Sequence, residues 1–137
     1  MATLPFLDTN IFVRHLAADE PDHSPRASAY FARIQGGDVT VRTVNTVVFE
    51  TVYVAERFYR LQRQHIRDVL VPLLELPDIV LSDKDEVLTA FDLYVNHPAL
   101  SFADCYHVTV MKHLQLTEIV SFDQGFDRIP EITRVEP

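Results

Sequence analysis

Thr3-Leu4-Pro5-Phe6-Leu7-Asp8-Thr9-Asn10 passes from an apolar run to a carboxylate and two polar residues. Ile11, Phe12 and His15-Leu16 then follow at helical spacing. The run predicts a short buried strand over residues 3–7 that ends at Asp8 and feeds a helix. A similar order returns near the other end, where residues 119–122 read as a short buried strand followed at once by Asp123. In open α/β sheets ligands bind outside the carboxyl ends of the strands. Two acids from distant parts of the chain are thus expected at one edge of a sheet.

Between these segments, short apolar stretches alternate with amphipathic ones. Ser24-Pro25 reads as a helix cap with proline at the first helical position, and Gly36-Gly37 as that helix's stop. Residues 38–42 alternate as a β-segment, and Thr43 or Asn45 can cap a helix through Phe49 and Tyr53 toward Phe58. A further helix is expected over residues 64–76, kinked by Pro72 or shifted at its start. Residues 79–81 read as a strand. Ser82 or Asp83 is expected to cap a helix through Val87, Phe91 and Val95, and Ser101 one carrying Phe102, Tyr106, Val110 and Leu114. Residues 132–135 read as a last edge strand. The alternation predicts an α/β fold with a parallel sheet covered by helices on both faces.

The chain has 137 residues, and its length favours one domain that buries roughly two-thirds of its unfolded surface. An apolar share of 47% beside 23% charged residues excludes a disordered chain. Three glycines, two of them adjacent, are too few for a dinucleotide fingerprint or a phosphate loop. The single cysteine, Cys105, excludes a disulfide framework and fits a reducing compartment. The N-terminus lacks the basic and apolar regions of a signal peptide, and no apolar run spans a membrane, so a cytoplasmic protein is expected. The net charge of −8 argues against a nucleic-acid partner unless several acids converge on divalent cations, which invert the local sign.

Two more acids stand in apolar helical settings. Glu50 interrupts Thr46-Val47-Val48-Phe49-Glu50-Thr51-Val52-Tyr53, where a carboxylate is costly unless exposed or compensated. Asp104 falls in the first turn of the helix opened by Ser101, where the macrodipole favours negative charge. Each acid has a plain structural reading, as a cap, a dipole partner or a solvated side chain. Together Asp8, Glu50, Asp104 and Asp123 make an oxygen-only set that suits Mg²⁺ or Mn²⁺.

On these residues the chain resembles the PIN-domain ribonucleases. The carrying motifs are Phe6-Leu7-Asp8-Thr9-Asn10, the isolated Glu50, Phe102-Ala103-Asp104-Cys105, and Ser121-Phe122-Asp123 with Phe126-Asp127. Size and acid order are similar to the VapC-type toxins of bacterial and archaeal toxin–antitoxin pairs. The likeness covers essentially the whole chain, residues 1–137. It implies a central parallel sheet of about five strands with helices on both faces. It also implies an acidic cleft holding one or two Mg²⁺ or Mn²⁺ ions, with Asp8, Glu50, Asp104 and Asp123 as its four acids in order. Thr9, Asn10 and Ser121 match the family's accompanying polar residues, and Asp127 an acid of varying role. The expected reaction is hydrolysis of an RNA phosphodiester by water activated on a divalent ion. Asp8, Asp104 and Asp123 are expected to ligate the metal, and Glu50 to ligate or to orient the water. Homodimerisation and neutralisation by a small antitoxin are further implications.

Even two bound divalent ions leave the chain acidic, so RNA contact must depend on local basic groups. Arg57, Arg60, Arg63 and Arg67 form one stripe if the helix is continuous there, with a solvated face as the plain reading. His107, one helical turn from Asp104, and Cys105 read as packed or surface residues. Two rival functions remain: a phosphoaspartate-using hydrolase with Asp8 as nucleophile, which Asn10 argues against, and a non-catalytic PIN-like binding module, which the full acid set argues against.

Overall fold

The computed structural model describes residues 3–137. They fall into two compact units, one running to Lys84 and the other from Asp85 to Pro137.

The first unit contains α1 (Thr9–Ala17), α2 (His23–Gln35), β1 (Val41–Arg42), α3 (Asn45–Arg57), α4 (Arg63–Leu74) and β2 (Ile79–Val80). β1 pairs in parallel with β2, Val41 opposite Ile79 and Arg42 opposite Val80, while Phe6 bridges in parallel to Arg42 on the other side. The segment expected as a buried strand over residues 3–7 is exposed except at Leu7 and held by few bonds: Leu7 N–H to the Arg42 carbonyl at 2.8 Å and Arg42 N–H to the Pro5 carbonyl at 2.9 Å. Pro5 has no N–H of its own to extend the ladder. Helices α1, α3 and α4 bring Phe12, Val48, Thr51, Leu70 and Leu74 together in the interior. Phe31 of α2 packs its ring 5.2 Å from that of Phe12.

Two predicted caps are replaced by others. α2 begins at His23, ahead of Ser24, and Asp22 flanks it without capping. The Glu20 carboxylate accepts the N–H groups of Asp22 and His23, and the Ser24 hydroxyl accepts the Glu20 N–H at 3.2 Å. Ahead of α3, the flanking residue is Val44. Thr43 and Asn45 are drawn to distant partners, the Leu7 carbonyl at 3.0 Å and the Asp83 carboxylate at 2.9 Å. The glycine stop of α2 is as expected: Gly37 N–H reaches the Ile34 carbonyl and Asp38 N–H that of Arg33, with Gly37 at φ 83°. α4 carries Pro72 in its last turn and ends two residues beyond it.

The second unit holds nearly all of α5 (Lys84–Asn96), then α6 (Phe102–His113), β3 (Glu118–Val120), a 3-10 turn over Gln124–Arg128 and β4 (Thr133–Val135). Phe91, Tyr94 and Phe102 form its aromatic centre, with the Phe91 and Phe102 rings 4.5 Å apart and the Tyr94 ring edge-on to both. β3 and β4 pair in parallel, Ile119 opposite Arg134. Ser101 caps α6 as predicted, its hydroxyl accepting the Asp104 N–H at 3.1 Å.

The fold is α/β, with six α-helices among the described residues. Among the described residues the strands make two two-stranded parallel sheets, β1-β2 and β3-β4, and not one continuous sheet of the expected size. Strands of two or three residues offer only two or three paired positions each, and the strand expected over residues 119–122 ends at Val120, with Val120 and Phe122 exposed and not buried. No helix is long and apolar enough to cross a membrane among the described residues.

Candidate functional site

In the first unit Asp8 stands directly after the paired segment at Leu7 and at the flank of α1. Its backbone is extended and its exposed carboxylate makes no capping hydrogen bond, so the plain reading of Asp8 as a cap does not hold. A carboxylate at a helix N-terminus also sits where the helix dipole favours an anion. The peptide just before it is fixed from afar by the Thr43 hydroxyl on the Leu7 carbonyl. Thr9, the first residue of α1, is buried, and Asn10 is exposed. Glu50 lies on the outer side of α3 and is exposed, which removes the desolvation cost of a carboxylate in an apolar sequence. The buried position beside it belongs to Thr51, whose hydroxyl donates to the Val47 carbonyl at 2.7 Å.

In the second unit Asp104 is half-buried in the first turn of α6, its N–H held by Ser101. Asp123 caps the 3-10 turn, its Oδ1 accepting the Gly125 N–H at 2.8 Å, while its own N–H donates to the Ser121 hydroxyl at 3.0 Å. Ser121 thus meets the backbone of Asp123 and not its carboxylate. Gly125 is required here: a Cβ would sit 3.0 Å from the Ala99 carbonyl, the Asp123 carboxylate and the Leu100 side chain.

Asp127 is held differently from these acids. Both its oxygens are taken by Arg134, at 3.0 and 3.3 Å, and Arg134 also reaches the Ser121 carbonyl at 3.2 Å and the Glu136 carboxylate. Asp127 first, then Glu136, raise the pKa of this guanidinium. Arg134 has no signal as a site-shaping residue in the sequence, because its partners Asp127 and Ser121 lie 7 and 13 residues away.

Helix α3 ends at Arg57 and α4 begins at Arg63, with Arg60 between them at φ 54°, so the arginines do not form one helical stripe. Arg63 pairs with Glu56 at 3.3 Å and Arg67 with Asp68 at 3.5 Å. Cys105 is buried and His107 exposed, as packed and surface residues.

Neither unit by itself gathers three His, Cys, Asp or Glu side chains into a group that can hold a metal ion, among the described residues. Each contributes two of the four acids, and none of the four is neutralised in an ion pair with the described basic groups. All-carboxylate donors that remain unpaired suit a hard divalent cation.

Short parallel strands among six helices, in the described residues, define an α/β protein. Residues 6–132 match the PIN domain, and the chain belongs to that family. It is similar to a VapC ribonuclease of Mycobacterium bovis and to ribonuclease VapC13 of Mycobacterium tuberculosis. Each is 28% identical over 131 residues, covering 94% of this chain and 97% of the relative.

Proposed function

We propose that this protein is a Mg²⁺- or Mn²⁺-dependent endoribonuclease, the toxin of a toxin–antitoxin pair, with residues 1–137 acting as one PIN-like domain in the cytoplasm. The observation that carries the reading is the set of four unpaired carboxylates, Asp8, Glu50, Asp104 and Asp123, in a PIN-family chain whose named relatives are ribonucleases. On this reading the four act together. Asp8, Asp104 and Asp123 hold one or two ions, and Glu50 accepts a proton from the attacking water or adds a ligand. A divalent ion bound there supplies charge neutralisation on the phosphoryl oxygens and a lowered pKa for the attacking water. Ser121 steadies the Asp123 backbone through its N–H, Ser101 steadies the Asp104 backbone, and Thr9 and Asn10 open α1 beside Asp8. Homodimerisation and a small antitoxin that covers the acids complete the proposal.

The direct test is cleavage of RNA with Mg²⁺ or Mn²⁺ against the same reaction in chelator, with Asp8→Asn and Asp123→Asn as controls. Metal-dependent cleavage lost in both variants supports the reading. Cleavage that persists in chelator, or in either variant at the wild-type rate, overturns it.

A further inference from the structure

The nuclease reading leaves a charge problem: a chain of net charge −8 must approach a polyanion. The first unit contains a groove of about 600 Å³ between α1 and α2 whose lining bears no carboxylate. Asn10, Ile11 and Arg14 line it from α1, and His23, Arg26 and Tyr30 from α2. We infer that this groove is the docking track for single-stranded RNA beside Asp8, an inference that rests on the nuclease reading and names how its substrate is held.

Three properties of the groove favour RNA. Its volume falls within the roughly 300–1,000 Å³ of pockets that hold small organic ligands, so a nucleotide unit fits. Its arginines are held by weak, solvent-accessible contacts: half-buried Arg14 by Asp19 at 3.5 Å and the Tyr59 hydroxyl at 3.4 Å, and exposed Arg26 by Asp22 at 3.3 Å, with Glu20 and Asp22 also beside His23. Such pairs contribute about 0–1 kcal/mol, and a phosphate displaces them readily. The groove also offers an aromatic ring, Tyr30, which has the Arg33 guanidinium over one face, 5.7 Å from the ring centroid. Aromatic faces with neighbouring arginines are what unpaired bases stack on.

Position ties the groove to the proposed chemistry. Asn10 lies two residues beyond Asp8, and Arg14 stands one helical turn further along α1, on the order of 6 Å by helical rise. A strand seated on Arg14 and Tyr30 therefore passes the flank of α1 where Asp8 stands. Bases already paired and stacked in a duplex cannot stack on Tyr30, so the substrate class is an unpaired segment or loop.

The test measures binding of a fluorescein-labelled, mixed-sequence single-stranded RNA oligonucleotide by anisotropy, in Ca²⁺ and across a salt series. The proteins are wild type, the double variant Arg14→Gln/Arg26→Gln, Tyr30→Ala and Tyr30→Phe, each checked for an unchanged thermal melt. Expected are an affinity loss of about tenfold in Tyr30→Ala with retention in Tyr30→Phe. The double variant should bind more weakly, with a salt slope shallower by about 1.4. If wild type cleaves RNA while the double variant keeps its affinity and slope, the groove is overturned and the nuclease reading stands. If wild type neither binds nor cleaves RNA, both fall. A labelled hexaglutamate peptide that binds through Arg14 and Arg26 and is not displaced by RNA would assign the groove to an acidic protein segment and overturn the RNA proposal.

Discussion

Arg134 grips Asp127 at two points, Nε on Oδ1 at 3.0 Å and a terminal nitrogen on Oδ2 at 3.3 Å, and its side chain is only 14% exposed. The same guanidinium bonds the Ser121 carbonyl, two residues before Asp123. Asp127 is therefore a structural acid that ties the turn to β4, while Asp123 keeps its second oxygen free of cations.

Two substitutions separate these acids. Asp127→Asn should lower the melting temperature and leave RNA cleavage within a fewfold of wild type, whereas Asp123→Asn should abolish cleavage with an unchanged melt. Arg134→Lys should behave as Asp127→Asn, since a lysine makes no two-point pair. Thermal melts and initial cleavage rates on the same preparations read both outcomes; equal cleavage defects in the two aspartate variants would place Asp127 in the site.

Glu50→Gln keeps shape and removes the basic oxygen. Cleavage should fall about 10²–10⁴-fold if Glu50 takes the proton of the attacking water. Because Glu50 is exposed, unfolding free energy should change by less than about 0.5 kcal/mol. A rate-versus-pH profile that keeps its acid limb in the variant would remove Glu50 from that role.

Thr43 joins three backbone segments. It is buried at 1% exposure, donates its hydroxyl to the Leu7 carbonyl, and gives its N–H to the Val80 carbonyl at 2.9 Å. Thr43→Val should cost about 1 kcal/mol in urea unfolding. It should also reduce cleavage, because the freed Leu7 peptide precedes Asp8. An unchanged cleavage rate at reduced stability would show that the Leu7 anchor does not position Asp8.

His15 gives the stability curve its mildly acidic limb. Burial lowers its pKa below the ordinary 6.5, with the Ser28 hydroxyl 2.7 Å from Nδ1 and the Phe31 ring 5.0 Å away. The unfolded chain therefore takes up this proton first. The His15 contribution is complete above about pH 6.5 and is lost as pH falls through 6.5 to the folded value. Glu20 and Glu131 are lowered instead from 4.5, by hydrogen bonds from the His23 N–H and the Lys112 ammonium respectively, and act only at lower pH. His15→Gln should flatten stability between pH 6.5 and the onset of carboxylate titration in urea melts; an unchanged limb would assign it elsewhere.

Local pattern was enough to read most helices, the glycine stop of α2, the Ser101 cap and the order of the four acids. These depend on neighbours within about one helical turn, which periodicity and capping chemistry encode directly. Contacts between distant positions carried the rest. Thr43 was expected to cap α3, yet its hydroxyl goes to Leu7, 36 residues away. The arginines from 57 to 67 share a spacing but not a helix, because the chain turns at Arg60. Arg134 and the α1–α2 groove had no local signature, since one takes Ser121 and Asp127 as partners and the other exists only when two helices pack side by side. Spacing along a chain specifies which face of an element a residue occupies; what that face meets is set by packing.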